Sequence, residues 1–431
     1  MHQQVTISTS IDAKTDLKFI HFADTHLGLN WPAIGRREHI QIPVYGQAFA
    51  SIIEAALTQR ADFVIHGGDL VDRPRPPTAA WNRILQELPK LKAAGIPFIV
   101  VPGSHDKPES YFDKAGGDIL TVLDKRLGLV KRLDSETEPF KHETKSGKKV
   151  VIYGLGDHGI NQEPELLKLK EAMREGPEFK ILVMHGTISG VPNQVGPTVK
   201  TETISELLSR RLVDYVAQGH NHKRWEHGQM HVYNPGSPEI TSFADAATIK
   251  YNFTNDGDMV EDARENIQHG YYSVQVSGEI INARFVTRQT RDVRNIRIEF
   301  QNAKASQVTE AAKQAIMKNS SEHSILRPVF SGTLHPSSSR TEIDLREILS
   351  MREKMLYLDY PLMNFEQKAN ITFNAKTDLN SILEQYFTST VGDAARETTE
   401  IAMKLLRAYE RRNKASHQEA LEIIDQWKPK E

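Results

Sequence analysis

Five times between residues 18 and 222, an apolar run of strand length stops at an aspartate or a histidine. Lys18–Ala23 is followed by Asp24 and His26, and Phe63–Ile65, closed by Gly67 and Gly68, by Asp69. Pro97–Gly103 leads to Ser104, His105 and Asp106, Lys180–Met184 to His185, and Tyr215–Gly219 to His220 and His222. Runs of this length, punctuated by glycine, read as buried strands. An open α/β sheet presents its ligand-binding groups at the carboxyl ends of its strands. One such coincidence means little; five in order define a site. His66, inside its strand, reads instead as core packing. Asp157 and His158, ending the strand Lys149–Gly156, read as a turn.

The segments between these runs carry helical stripes. Val44, Phe49, Ile52, Ile53, Ala56 and Leu57 fall on one face, as do Trp81, Ile84, Leu85, Leu88 and Leu91. Thr78 reads as the N-cap of the second helix, Gly95 as its close, and Pro89 as a kink or an early end. Residues 1–16 are a polar lead-in. Strands alternate with helices to about residue 222. Strand-like runs at 230–233, 271–276 and 280–287 then predict a mostly antiparallel continuation to about 290. Residues 291–370 read as a smaller mixed α/β unit: strand 296–300, helix 308–317, strand 326–334, helix 343–351, strand 355–358. Residues 371–431 read as helical, with apolar faces at 379–387, 401–406 and 421–427.

The chain has 431 residues and no cysteine, which excludes disulfides and thiolate chemistry. A metal must then be held by imidazole and carboxylate, a set suited to manganese, iron or zinc. Lys and Arg total 54 against 56 Asp and Glu, so contact with nucleic acid requires local basic patches rather than net charge. No apolar run approaches a membrane span and the N-terminus carries no secretory pattern, so a cytoplasmic protein without a membrane partner is expected. Asp24, His26, Asp69, His185, His220 and His222 are the candidate ligands. Two dications about 3.5–4 Å apart need an anion between them, and Asp69 is the candidate bridge. His105 stands beside the set as a candidate acid for a leaving oxygen, with Asp106 as its orienting partner.

Asp24-x-His26, Gly68-Asp69-x-x-Asp72, Gly103-Ser104-His105-Asp106, His185 and Gly219-His220-Asn221-His222 resemble the five motifs of calcineurin-like metallophosphoesterases. The form Asp24-Thr25-His26-Leu27-Gly28, followed by a capping unit and terminal helices, resembles the meiotic-recombination-eleven and SbcD DNA repair nucleases. That resemblance implies a two-sheet sandwich flanked by helices over 17–290, a DNA-facing cap over 291–370, and C-terminal helices over 371–431 that grip a coiled-coil ABC-type ATPase. It implies one manganese on Asp24, His26, Asp69 and His222, and a second on Asp69, His185, His220 and the third-motif residue, here Ser104. His105 would be the catalytic histidine, and other divalent metals could serve. The implied activity is exonuclease and endonuclease hydrolysis of DNA in double-strand-break repair, often by a homodimer formed through helices near 44–58 and 78–94. Arg36, Arg37, Arg73, Lys107, Lys223 and Arg224 border the site as candidate DNA contacts, together with Arg75.

One departure stands out. The third motif usually carries asparagine where this chain has Ser104, whose hydroxyl is a shorter neutral donor. The expectation is a second cation held more weakly than in relatives. Asp72 is expected to orient a ligand. His39, His142, His227, His231 and His269 read as surface residues. An alternative is another phosphodiesterase or phosphatase of the superfamily acting on a non-DNA substrate. A third, a non-catalytic scaffold, fits poorly with so complete a ligand set.

Overall fold

A computed structural model describes residues 15–29, 38–108, 118–191, 198–254, 257–366, 383–384, 387–388 and 395–410. In chain order, β1 (Leu17–Phe22), α1 (Glu38–Gln59), β2 (Phe63–His66), α2 (Thr78–Ala93), β3 (Phe98–Val100) and β4 (Lys131–Arg132) alternate strand and helix. Next come β5 (Phe140–Glu143), β6 (Lys149–Leu155), α3 (Gln162–Ala172), β7 (Phe179–His185), the short β8 (Thr187–Ile188) and β9 (Thr198–Val199), and α4 (Thr201–Ser209). They are followed by β10 (Tyr215–Gly219), β11 (Trp225–His227), β12 (Val232–Asn234), β13 (Ala247–Phe253), β14 (Met259–Glu265), β15 (Gly270–Ser277) and β16 (Ile280–Thr287). β17 (Val293–Ala303), α5 (Ala305–Asn319), β18 (Ile325–Leu334), α6 (Leu345–Ser350), β19 (Tyr357–Leu358), β20 (Leu362–Glu366) and α7 (Ala395–Glu410) complete the described chain.

Two six-stranded sheets, ordered β16-β15-β1-β2-β3-β4 and β11-β12-β10-β7-β6-β5, face each other. Their centres are parallel, as βαβ crossovers require, and antiparallel strands close three of the four edges. Phe19, Phe63, Ile65 and Ile99 from the first sheet interlock with Ile152, Ile181, Tyr215 and Ala217 from the second. Outside the first sheet, α1 and α2 bury Phe49, Ile52, Ile53, Ile84 and Leu88. Outside the second, α3 and α4 bury Leu166, Leu169, Ile204 and Leu207. The result is the expected sandwich of helix, sheet, sheet and helix. Each large apolar side chain so buried contributes about 1.5–3 kcal/mol.

A third sheet, ordered β14-β13-β17-β18-β19 with β20 also on β18, packs against α5 and α6. Its strands come from 291–370 (β17 to β20) and also from 247–265 (β13 and β14), where the sequence suggested none. The chain enters the third sheet, returns to the first as the hairpin β15-β16, and re-enters the third as β17. Strand partnership over such separations leaves no local sequence trace.

Local expectations also shift. α2 runs through Pro89 to Ala93 rather than ending early. Leu85, whose carbonyl loses its N–H partner at Pro89, is 46% exposed, so the missing bond falls on the outer face of the helix. Pro77, not Thr78, is the N-cap, without a side-chain cap. Asp16 is pinned rather than loose: its N–H donates to the Val276 carbonyl at 2.8 Å. Residues 1–14, Arg36, Arg37 and most of the expected 379–387 and 421–427 faces lie outside the described residues, whereas α7 covers the expected face at 401–406.

Candidate metal centre

The site lies where the carboxyl ends of β1 and β2 meet those of β7 and β10. Gly67 and Gly219 permit that meeting: a Cβ on Gly219 would sit 2.3 Å from the Gly67 carbonyl oxygen and 2.8 Å from Cβ of Ala23. The Asp24 N–H donates to the Gly68 carbonyl at 3.0 Å, and the His26 N–H to the Asp69 carbonyl at 3.0 Å. These bonds splice the β1 and β2 loops together. Asp24, His26, Asp69 and His220 all have left-handed backbones, with φ of 53°, 46°, 54° and 100°. Non-glycine residues rarely adopt this region, and when held there they cluster at functional sites.

Three overlapping ligand groups result: Asp24, His26 and His222; His26, Asp69 and His105; and Asp24, Asp69 and His185. Asp69 Oδ2 lies 3.7 Å from His26 Nε2 and 3.4 Å from His185 Nε2. Nε2 of His26 approaches Nε2 of His222 to 3.0 Å, and Nδ1 of His220 approaches Nε2 of His185 to 3.2 Å. Two nitrogens each about 2.1 Å from one cation, at roughly a right angle, would stand about 3 Å apart. The donor set therefore fits divalent cations, with His26 and His222 at one pole, His185 and His220 at the other, and Asp69 between them.

Bonds on the far side of the rings fix which nitrogens face inward. His185 Nδ1 donates to the Gly67 carbonyl at 2.8 Å, leaving Nε2 for the centre. His222 Nδ1 meets Thr241 Oγ1 at 2.7 Å, and that hydroxyl donates to Asp245 Oδ2 at 2.6 Å. Because the hydroxyl hydrogen goes to Asp245, Nδ1 of His222 is the donor and Nε2 faces His26. The His220 N–H donates to both oxygens of Asp24 at 3.0 Å.

The charges follow from burial. Burial pushes the Asp24 carboxyl up to about 6 and His26 down to about 3. Burial would also lower His185, but Asp69 and then Asp24 outweigh it and raise it to about 10. Burial opposes ionisation of Asp69, yet His185 and His26 hold it well below the usual carboxylate range. A buried anion already neutralised by a neighbouring cationic ring is a place where a metal ion can substitute for a proton.

Ser104 lies exposed on the turn before His105. His105 is anchored through its main chain, its N–H donating to Asp69 Oδ1 at 2.8 Å. Its ring Nδ1 donates to the Asp72 carbonyl at 2.7 Å, which leaves Nε2 outside that bond. The ring stands edge-on to His26, centroids 4.7 Å apart.

Asp106 does not orient His105, contrary to expectation. Its buried carboxylate accepts from the N–H groups of Gly103 at 2.9 Å, Val71 at 3.1 Å and Leu70 at 3.3 Å, tying the third loop to the Asp69 loop. Consecutive residues on a tight turn point apart. Burial raises its pKa to about 7. Asp72 Oδ1 lies 3.7 Å from His26 Nδ1 and 3.9 Å from His105 Nδ1, beside both rings.

Arg73 is exposed and pairs with Asp72 at 3.3 Å. Lys107 donates to the Asp157 carbonyl, and Lys223 to Glu265 at 3.2 Å. Arg224 is a brace rather than a free cation. It bonds Tyr272 Oη at 3.1 Å, Gln268 at 2.7 Å and Glu226 at 2.7 Å, and lies 4.5 Å from the Phe285 ring centroid. His66 is core, as expected, with Nε2 2.7 Å from the Thr25 hydroxyl. His158 meets Asp134 at 2.8 Å. His227 is exposed, His142 and His231 are half-buried, and the His39 side chain lies outside the described residues. His269 corrects its expectation: it is buried, with both ring nitrogens on the Ser237 and Asp245 carbonyls. Thr241 and Asp245 were missed. Their one signal is Ser242-x-x-Asp245, a spacing typical of helix caps.

Residues 17–224, which hold every one of these candidate ligands, match the calcineurin-like phosphoesterase family. Among its relatives, the DNA double-strand break repair protein Mre11 of Sulfurisphaera tokodaii is 34% identical over 211 residues, 48% of this chain and 49% of that protein. The protein of the same name from Saccharolobus solfataricus is 24% identical over 380 residues, 86% of this chain and 90% of that protein. This chain thus spans about half the length of the first relative and most of the second. Among solved structures, a dimetal phosphatase from Danio rerio is 12% identical, with 64% of this chain and 100% of that one covered and a TM-score of 0.38.

Proposed function

We propose that this protein is a manganese-dependent DNA nuclease, cutting phosphodiesters as exonuclease and endonuclease in double-strand-break repair. The observation that carries the proposal is the sharing of Asp69 between two histidine pairs, with His105 hung on the same carboxylate. The names of the relatives, matched across most of the chain in one case, point to DNA. Asp24, His26, Asp69 and His222 would hold one cation, and Asp69, His185, His220 and Ser104 the other. When bound, the two cations supply Lewis-acid polarisation of the phosphodiester. The chain's own part is to fix the tautomers of His185 and His222, and to hold a protonatable Nε2 on His105 for the leaving oxygen. Arg73, Lys107 and Lys223 are the candidate phosphate contacts, joined by Arg36 and Arg37; Arg224 is better read as structural.

The third-sheet unit is read as the DNA-facing cap, and α7 with the rest of 371–431 as the docking region for a coiled-coil ABC-type ATPase. A homodimer through α1 and α2 is part of the same reading, carried by the family resemblance. Among the described residues no helix is long and apolar enough to cross a membrane. Release of nucleotides from double-stranded DNA, compared with hydrolysis of bis-p-nitrophenyl phosphate in manganese, tests the reading. Turnover of the small ester without any attack on DNA overturns it in favour of a non-DNA phosphodiesterase.

A further inference from the structure

His222 is the ligand whose outer bond leaves the sandwich. Thr241 Oγ1 accepts from its Nδ1–H at 2.7 Å and donates its hydroxyl hydrogen to Asp245 at 2.6 Å, while Thr241 N–H also donates to Asp245 at 2.9 Å. Thr241 and Asp245 are 7% and 2% exposed, so water does not compete. The Ser237 N–H donates back to the His222 carbonyl at 3.0 Å.

The opposite side of this segment is built into the third sheet. Asn295 on β17 donates to the Phe243 carbonyl at 2.7 Å, and Arg291 to the Ile240 carbonyl at 2.8 Å. The Arg327 guanidinium on β18 lies 3.8 Å from the Phe243 ring centroid. Ile240, Phe243 and Ala246 share an apolar cluster with Val293 and Ile325. One short segment therefore touches a cation ligand with one side and the third sheet with the other.

We infer that Thr241 and Asp245 are positioning residues for His222, and that residues 239–245 make the aim of that imidazole depend on the seat of the third-sheet unit. The inference rests on His222 being a cation ligand. Partners beyond a ligating histidine commonly govern affinity by 10- to 100-fold. Coupling through a shared element is reciprocal, so whatever moves the third-sheet unit alters cation affinity, and the cation in turn steadies that unit.

The test is a manganese(II) titration of the full chain, read by calorimetry and by electron paramagnetic resonance, without DNA or turnover. Thr241→Val should weaken one class of site by roughly 10-fold or more and leave the other unchanged, and Thr241→Ser should restore it. Asn295→Ala, remote from the centre, should weaken the same class. The double variant should fall short of the product of the two effects, as residues acting through one element do. Thermal unfolding reports whether each variant folds, and Asp245→Asn carries the test should Thr241→Val fail. Wild-type binding in folded Thr241→Val overturns the positioning role. An effect of Thr241→Val with none from Asn295→Ala overturns the coupling. Because the probe is manganese alone, a wrong substrate assignment leaves these outcomes standing.

Discussion

The main-chain N–H of His105 donates to Oδ1 of Asp69 at 2.8 Å, so the residue proposed to protonate a leaving oxygen hangs on the carboxylate between the two histidine pairs. That bond survives removal of the imidazole. His105→Ala should therefore keep manganese binding near wild type while DNA hydrolysis falls by about 10²- to 10⁴-fold. Parallel calorimetry and nuclease assays check this; loss of manganese binding would make His105 a ligand instead.

A Cβ on Gly103 would lie 2.1 Å from Asp69 Oδ1 and 2.3 Å from its nitrogen. Backbone cannot yield as a flexible side chain does. Gly103→Ala should lower stability by on the order of 3 kcal/mol and abolish tight manganese binding, because the shared carboxylate is displaced. Urea unfolding with and without manganese measures both.

Ser104 sits exposed on the turn just before His105. If its short hydroxyl leaves one pole poorly served, Ser104→Asn should tighten the weaker manganese site by about 10-fold. Two equally tight sites, indifferent to the substitution, would remove the idea.

His21, buried between the sheets with Nε2 3.1 Å from the Gln218 carbonyl and Nδ1 3.1 Å from Tyr215 Oη, is lowered by burial to about 3. Unfolded, it titrates near 6.5. Above pH 6.5 both states are neutral and nothing is lost. As pH falls from 6.5 toward 3 the unfolded chain takes up a proton that the native state refuses, so stability declines by up to about 4 kcal/mol. His21→Gln should flatten the stability–pH slope in that window by about one proton, as measured by urea unfolding at stepped pH.

The strands and the aspartates and histidines that end them were legible because burial on both faces writes continuous apolar runs, each stopping at a polar side chain. The short strands and helices of 291–370 were legible for the same reason. What was hidden depends on contacts between distant segments. β13 and β14 drew no strand reading from the sequence, yet β13 pairs with β17 and β14 with β13. Asp106 looked like a partner for its neighbour and instead serves three main-chain N–H groups. His269 looked exposed because nothing nearby in sequence reveals the two carbonyls that satisfy it. Thr241 and Asp245 belong to none of the five motifs, since their importance comes from a ring nineteen residues before Thr241 in the chain.

The left-handed turns at Asp24, His26, Asp69 and His220 have a consequence for how the centre is assembled. Each costs on the order of 1 kcal/mol, and the sheets supply it when the chain folds. The fold, rather than an ion, thus sets the backbone from which these four side chains project, so exchange of one metal for another should leave the four turns as they are.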